Sequence, residues 1–437
     1  MLRRIVLALV TPLAAAAAQA ISDSLHPISL AEAVSLAQRN APAAVQARGQ
    51  LRSSSSAVRS LYGSFLPSLS ASMNQNRQSG ERYIAQEDRV VTVSQPWSYS
   101  SGVSTSLELF DGGRRFSDLR ARRADVDAAE ANETAQHFNI ALQVKREYAN
   151  VLAARESETS ARAQIEQAEA QLAASIARVR AGAATVSDSL RSIIALGNAR
   201  LALFTAQNSL RVASATLTRL VGTSFLVTAN PADTAGFTIT AVDSLALVRA
   251  AQEGPAVRQA LMNEAAARAS ERSSKSSYFP TISMSYGYNG NGSSPYGFSA
   301  DTSRRYLYGS SLSLRLSFPL FNNFNREDQI LRARIAHDNA AAQLRDARLL
   351  AQQNLIQQLG ALRTAEVRIR IQQVSVTAAQ EDLRVQQQRY QLGASTLLDL
   401  LISQSTLNQA RATLIQARQD YRVARAQLEA LIGRDLQ

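Results

Sequence analysis

Two aspartates carry the clearest candidate chemistry in this chain. Asp188 and Asp399 stand 211 positions apart, and the residues before them recur at the same offset: Gly182 and Thr185, then Gly393 and Thr396. Each carboxylate falls just inside the N-terminal end of a helical stretch, where the helix dipole favours negative charge. On spacing alone, that structural role and a working role are both open. Other catalytic constellations are missing. His26, His137 and His337 occupy unmatched positions without metal-ligand spacing. No glycine-rich phosphate loop leads from a strand into a helix, and Asp111-Gly-Gly113 reads as a strand-to-helix junction. There is no cysteine, so disulfides and a lipid-modified N-terminal cysteine are excluded. The expectation is a chain without catalysis, cofactor or metal.

What positions the two aspartates is a duplication. Arg180-Ala-Gly-Ala-Ala-Thr-Val-Ser-Asp188 returns as Gln391-Leu-Gly-Ala-Ser-Thr-Leu-Leu-Asp399. The same offset carries Phe110 onto Phe321 and Leu220-Val-Gly222 onto Leu431-Ile-Gly433. Leu66-Pro-Ser-Leu-Ser70 returns as Phe279-Pro-Thr-Ile-Ser283 at an offset of 213, so the segment between these matches is a loop of variable length. A repeat of about 200 residues is too long for a small solenoid unit. It predicts two similar halves around a pseudo-symmetry axis.

Composition narrows the compartment. Arg3 and Arg4, the apolar Ile5 to Val10 and the small-residue site Ala18-Gln-Ala20 read as a secretory signal over 1–20. Its removal takes the formal charge from +12 to about +10. Beyond it no run approaches the ~18 apolar residues of a membrane-spanning helix. An exported chain of this kind is soluble outside the cytoplasm or inserted as a β-barrel. Its arginines are scattered through Ala/Gln-rich stretches among acids, as on solvated helix faces, and form no nucleic-acid patch.

Long helices dominate the pattern. From Arg114 to Arg180 there is neither proline nor glycine, and about 67 residues make roughly 100 Å of helix. The second half repeats this over 325–391, with one glycine at 360. Returning helices are expected over 186–221 and 397–432, joined to the long ones by Gly-containing turns as antiparallel hairpins. Leu362, Ile369, Val376, Leu383 and Tyr390 fall on one heptad line; the matching line reads Val151, Glu158, Ile165, Leu172 and Val179. Leu196, Leu203, Leu210 and Leu217 match Leu407, Leu414, Tyr421 and Leu428. Sustained sevens predict coiled-coil-like packing.

Between the helices the period changes to two. Val103, Thr105, Leu107 and Leu109 alternate with Ser104, Ser106 and Glu108. Leu312, Leu314, Leu316 and Phe318 alternate with Ser313, Arg315 and Ser317, and Ile282 to Asn289 alternate likewise. These are strands. With a weaker alternation over 69–74 they make four, in two hairpins, bordered by Tyr83, Trp97, Tyr99, Tyr278, Phe279, Tyr296, Phe298, Tyr306 and Tyr308. Apolar-out, polar-in strands with aromatic borders and long polar loops read as outer-membrane barrel.

The expected organisation is a signal peptide over 1–20, a first repeat over 21–222, a linker over 223–240 and a second repeat over 241–437. The first repeat holds strands at about 67–76 and 101–110, the long helix 114–180 and the returning helix 186–221. The second holds strands at about 280–289 and 306–318 and helices 325–391 and 397–432. Four strands cannot close a barrel, because the smallest filled barrels need about eight. An open sheet in lipid leaves backbone groups unpaired. Three copies related by cyclic symmetry supply twelve strands. The fold expected is therefore a mixed α/β membrane protein: a long coiled-coil-like α-helical barrel continuous with a 12-stranded transmembrane β-barrel, four strands per chain. A soluble periplasmic coiled-coil scaffold or adaptor is the alternative.

The duplicated plan resembles the TolC-like outer-membrane efflux proteins over essentially the whole mature length. Leu66-Pro-Ser-Leu-Ser70 and Phe279-Pro-Thr-Ile-Ser283 enter the first strand of each hairpin. Phe110-Asp-Gly-Gly-Arg114 and Phe321-Asn-Asn-Phe-Asn325 leave the second. The most specific stretch is Arg389-Tyr-Gln-Leu-Gly-Ala-Ser-Thr-Leu-Leu-Asp-Leu-Leu-Ile-Ser-Gln404. The resemblance implies a homotrimeric passive channel in outer-membrane lipid. Its partners would be a periplasmic adaptor and an inner-membrane efflux pump or ABC secretion transporter. By resemblance, Asp399 matches a carboxylate that rings the periplasmic gate, and Tyr390 and Asp188 match further gate partners, with Ser187 beside them. Ser395 replaces a basic residue and Ile402 a second acid. Arg178, Arg180, Gly182, Thr185, Arg389, Gly393 and Thr396 are expected at adaptor-contacting helix tips. Glu108 and Arg315, on the polar strand face, are expected in the barrel lumen.

Overall fold

In the computed structural model, residues 25–77, 79–84, 89–94, 97–235, 244–292 and 306–436 are described. The expected signal peptide, the end of the expected linker over 236–240, Tyr296 and Phe298 lie outside the described residues. In chain order the elements are β1 (His26–Ile28), α1 (Leu30–Asn40), α2 (Pro42–Gly63), β2 (Ser68–Asn76), β3 (Ser79–Ile84), β4 (Arg89–Ser94) and β5 (Ser98–Phe110). They continue with α3 (Arg114–Arg180), α4 (Val186–Val221), β6 (Val227–Ala229), α5 (Ala232–Ala235), α6 (Ser244–Gln252) and α7 (Pro255–Ser274). A 3-10 turn (Lys275–Tyr278), β7 (Thr281–Gly292), β8 (Tyr306–Ser317), α8 (Asn325–Gln391) and α9 (Leu397–Ile432) complete the chain. Among the described residues no helix is long and apolar enough to cross a membrane.

Two compact units divide these elements, and each draws on both halves of the sequence. The first takes the described residues of Met1–Ala41, Ile140–Ala241 and Gly360–Ala426. Its helices meet in antiparallel pairs. Ser175 on α3 bonds Ser192 on α4 at 2.9 Å, and Arg200 reaches back to Glu169 at 3.4 Å. On the other pair, Arg368 of α8 binds Asp420 of α9 at 3.0 Å. The heptad lines turn inward: Leu362, Ile369, Leu383, Tyr390, Leu407 and Tyr421 are buried. The matching line on α3 is fully buried only at Val151, and its later members stay half-exposed around Glu158. A carboxylate there makes full burial costly, which loosens that seam.

Short elements absent from the sequence reading complete this unit. β1 and β6 pair in parallel, with His26 opposite Val227 and Ile28 opposite Ala229. Tyr148, buried on α3, donates to the Asp233 carboxylate and receives the Asn230 N–H at 3.0 Å. Burial and the adjacent Asp233 carboxylate push the Tyr148 hydroxyl pKa well above its ordinary value, so it stays protonated. The expected linker over 223–240 thus contains a strand and the four-residue helix α5. Three-residue strands carry too little alternation to be read from sequence.

The second unit takes Pro42–Asn139, the described residues of Val242–Leu359, and Gln427–Leu436. It holds a four-stranded antiparallel sheet in the order β2-β5-β7-β8. Register puts Leu69 opposite Thr105, Thr105 opposite Tyr286 and Tyr286 opposite Leu312. Ala71, Val103 and Tyr288, and likewise Leu107, Met284 and Leu314, follow the same face. That apolar face is exposed, with Leu69 at 76% and Leu312 at 70%. The other face reads Ser70, Ser104, Gly287 and Ser311, with Ser70 and Ser104 bonded at 2.8 Å. β2 and β8 each have one neighbour, so the sheet has two open edges.

Three details differ from the sequence reading. β5 begins at Ser98, because Ser98 pairs by backbone with β2, and Tyr99 to Gly102 pair with both neighbours, without an apolar alternation. β3 and β4 form a hairpin of their own between β2 and β5. A bulge sits between Glu108 and Phe110, so Phe110 and not Leu109 stands opposite Ile282. One extra residue in a strand shifts the alternation after it.

Two junctions lead from the sheet into the long helices, and they share one hydrogen-bond pattern. Arg114 N–H bonds the Asp111 carbonyl at 3.2 Å, and Asn325 N–H the Asn322 carbonyl at 3.1 Å. The side chains of Asp111 and Asn322 then accept the N–H of Arg115 at 2.9 Å and of Arg326 at 3.5 Å. Both junctions need two successive left-handed residues. The first uses Gly112 (φ 68°) and Gly113 (φ 77°); the second uses Asn323 (φ 56°) and Phe324 (φ 61°). Glycine adopts this conformation freely, whereas a side chain there costs about 1–2 kcal/mol, less for Asn.

Candidate functional site

The tip of each helical hairpin is built from one local design. At the end of α3, Ala183 N–H returns to the Arg178 carbonyl at 2.8 Å and Gly182 N–H to that of Val179 at 3.0 Å. At the end of α8, Ala394 returns to Arg389 at 2.8 Å and Gly393 to Tyr390 at 3.1 Å. This is the Schellman closure, which needs a left-handed residue. Gly182 has φ 71° and Gly393 φ 73°, and open space surrounds both, so the backbone angle and not crowding selects glycine.

Each returning helix then starts on a reciprocal cap. Thr185 N–H and hydroxyl both donate to the Asp188 carboxylate, at 3.1 and 2.9 Å. Thr396 does the same to Asp399, at 3.0 and 2.7 Å, and Asp399 N–H answers to the Thr396 hydroxyl at 3.2 Å. This is the capping box with aspartate as its acid. The Thr396 hydroxyl first, then its N–H, and the charge of Arg389 hold Asp399 below the usual carboxylate range. One oxygen of Asp399 is engaged by Thr396, and the residue stays exposed and ionised.

One contact joins the two tips. The Arg178 guanidinium donates to the Tyr390 carbonyl at 2.5 Å and lies 4.5 Å from the centroid of the Tyr390 ring. Arg178 is therefore half-buried and turned onto the second hairpin, while Arg180 and Arg389 remain exposed. Tyr390 packs into a cluster with Leu383, Leu397, Leu400 and Leu407. Its hydroxyl and that of Ser395 are buried without a hydrogen-bond partner. No hydrogen bond among the described residues joins Asp188 to Tyr390; Asp188 bonds its own Thr185 instead. Ser187 is exposed beside it.

Glu108 and Arg315 occupy the sheet, both exposed on its polar face, each opposite Ser283 from either side. Sequence reasoning missed the Arg178–Tyr390 pair, because its members stand 212 positions apart with no shared motif. It also missed His337 as a structural residue. His337 on α8 bonds Glu264 at 2.9 Å and Glu271 at 2.8 Å, both on α7. Among the described residues no group of three His, Cys, Asp or Glu side chains is placed to hold a metal.

Residues 33–223 and 246–434 match the family described as outer membrane efflux protein. Protein CyaE of Bordetella pertussis is 30% identical over 341 residues, covering 75% of this chain and 68% of that one. Outer membrane protein TolC of Vibrio cholerae is 24% identical over 434 residues, covering 96% and 93%. Among solved structures, outer membrane protein VceC of Vibrio cholerae superposes with a TM-score of 0.72 at 17% identity, covering 93% of this chain and 97% of that one.

Proposed function

The chain belongs to the outer membrane efflux protein family, and on that premise we propose that three copies assemble into one passive exit duct. It is a protein of the bacterial outer membrane, with its helical part in the periplasm. The observation that carries the trimer is the four-stranded sheet: one exposed apolar face, one polar face and two open edges. In lipid, every backbone group needs a partner, so the edges at β2 and β8 require other sheets. Three sheets close a 12-stranded barrel with Glu108 and Arg315 toward its lumen. The helices α3, α4, α8 and α9 of three copies form the helical barrel, their exposed apolar stripes meeting between protomers. A soluble scaffold would have no use for the bare Leu face of β8.

The hairpin tips form the periplasmic gate. Three copies of Asp399, kept ionised by Thr396, face one another and favour cations. Asp188, Ser187, Tyr390 and Ser395 line the same mouth; the Tyr390 and Ser395 hydroxyls, buried without a partner within the protomer, would gain one only if the tip rearranges. The Gly182 and Gly393 turns, with Thr185, Thr396, Arg180 and Arg389, meet the periplasmic adaptor. Arg178 acts differently from that expectation, tying the two tips within one protomer. The energy source is an inner-membrane efflux pump or ABC secretion transporter, and the duct itself catalyses nothing.

Mass measurement in detergent together with planar-bilayer recording tests this reading. A species three times the protomer mass that conducts is expected. A monodisperse, detergent-free monomer without conductance would overturn it.

A further inference from the structure

The second junction keeps a strained residue that the first avoids. Phe324 adopts φ 61° where Gly113, 211 positions earlier, has φ 77°. Open space surrounds Gly113, so the junction demands the backbone angle and not a small side chain. Packing within the protomer does not explain the phenylalanine, for Phe324 is 68% exposed. Its ring meets Phe321 edge-to-face at 5.4 Å, and Phe321 is exposed as well. Leu320 beside them is more exposed still. Strain retained without a packing return points to a partner outside the protomer.

The surroundings identify the partner chemistry. Four strand ends lie on this side of the sheet, and each carries an exposed apolar residue: Leu66 before β2, Phe110 ending β5, Phe279 before β7 and Phe318 after β8. Phe110, opposite Ile282, and Phe318, two residues after Leu316, continue the exposed apolar face of the sheet. At its other end stand Tyr288, Tyr306 and Tyr308, with the first and last stacked at 5.5 Å. Ten residue steps separate Tyr308 from Phe318, about 33 Å along a strand. A barrel tilt of about 40° reduces this to about 25 Å, the height of an outer-membrane apolar band. Phe321 and Phe324 follow Phe318 by three and six residues, and aromatic rings favour the lipid interface at the border of such a band.

We propose that residues 318–324 form a membrane-interface anchor, in which the left-handed backbone at Asn323 and Phe324 holds the Phe321–Phe324 pair at the headgroup–acyl boundary of the periplasmic leaflet. This rests on the outer-membrane duct reading, and the test separates the two. The chain has a single tryptophan, so Trp97→Phe provides a silent background. In it, Phe324→Trp reports on the junction and Leu314→Trp on the middle of the sheet face. Each full-length variant is reconstituted in phosphatidylethanolamine/phosphatidylglycerol vesicles. Quenching is compared for lipids brominated near the glycerol, lipids brominated near the chain end, and aqueous iodide.

The expected result is strong quenching of Phe324→Trp by the shallow bromines and of Leu314→Trp by the deep ones. Deep quenching at 314 with only iodide quenching at 324 overturns the anchor alone. So does a reporter at 324 that neither agent reaches, which means a protein partner covers it. No lipid quenching at either position overturns the duct reading and the anchor with it. Phe324→Gly keeps the junction foldable, because Gly113 already adopts that angle. It should raise the thermal midpoint while slowing insertion into preformed vesicles severalfold. Unchanged insertion would show that the ring does nothing at the interface.

Discussion

At the scale of residues, the tips hold two different uses of charge. Arg178 and Arg389 occupy matched positions, yet Arg178 is spent on Tyr390 while Arg389 stays in solvent beside Asp399. A hydrogen bond from a charged donor contributes about 1.5–3 kcal/mol. Arg178→Ala is therefore predicted to loosen the tip and raise single-channel conductance severalfold, with Arg180→Ala as the silent control. Equal conductance in both variants would remove the tie from the gate. Asp399→Ala, tested in the same bilayers, should reduce cation selectivity; unaltered selectivity would reduce Asp399 to a helix cap. The Thr-x-x-Asp spacing made both aspartates visible in the sequence. It did not distinguish cap from gate, because one carboxylate oxygen serves the cap and leaves the charge available. The Arg178–Tyr390 contact was illegible, since no periodicity connects residues that meet only when two hairpins pack.

At the scale of elements, the long helices were legible because proline, glycine and a period of seven are unambiguous over some 67 residues. Helices α1, α2, α6 and α7 were not anticipated, being shorter and rich in Ala and Ser without a sustained apolar line. One of them carries a pH-dependent clamp in the periplasmic part. The hydrogen bond that His337 donates to Glu264, then that to Glu271, raise His337 above its ordinary pKa against the effect of its own desolvation. Desolvation opposes ionisation of Glu264 too, but His337 and Arg268 outweigh it and hold Glu264 low. Lys275 first, and then His337, do the same for Glu271. A raised histidine stabilises the fold fully below its unfolded pKa of about 6.5, and that contribution fades as pH climbs through the folded value. The lowered carboxylates contribute above their unfolded pKa and lose that contribution as pH falls through their folded values. The thermal midpoint should therefore drop on the alkaline side in the wild type. In His337→Gln that drop should be absent; an identical pH profile in the variant would exclude the clamp.

At the scale of the whole molecule, the period-two strands revealed a two-faced sheet, and its register carries the apolar face across all four strands. The ends of the sheet were less legible: polar backbone pairing extends β5, and a bulge displaces Leu109. Leu314 sits mid-face and exposed. Arginine on a lipid-facing strand near the midplane costs about 2–4 kcal/mol. Leu314→Arg should accordingly block stable insertion, read as loss of the chain from carbonate-washed membranes, while Ser313→Arg on the polar face should be tolerated. Equal tolerance of both would mean that the Leu face does not meet lipid.

The two unpaired margins of the sheet also have a genetic consequence. In the proposed duct the wall is shared among copies and has no private part, so a chain that assembles but cannot open would spoil every complex it enters. Alleles of that kind should be dominant when co-expressed with the wild type, whereas alleles that merely fail to insert should be recessive.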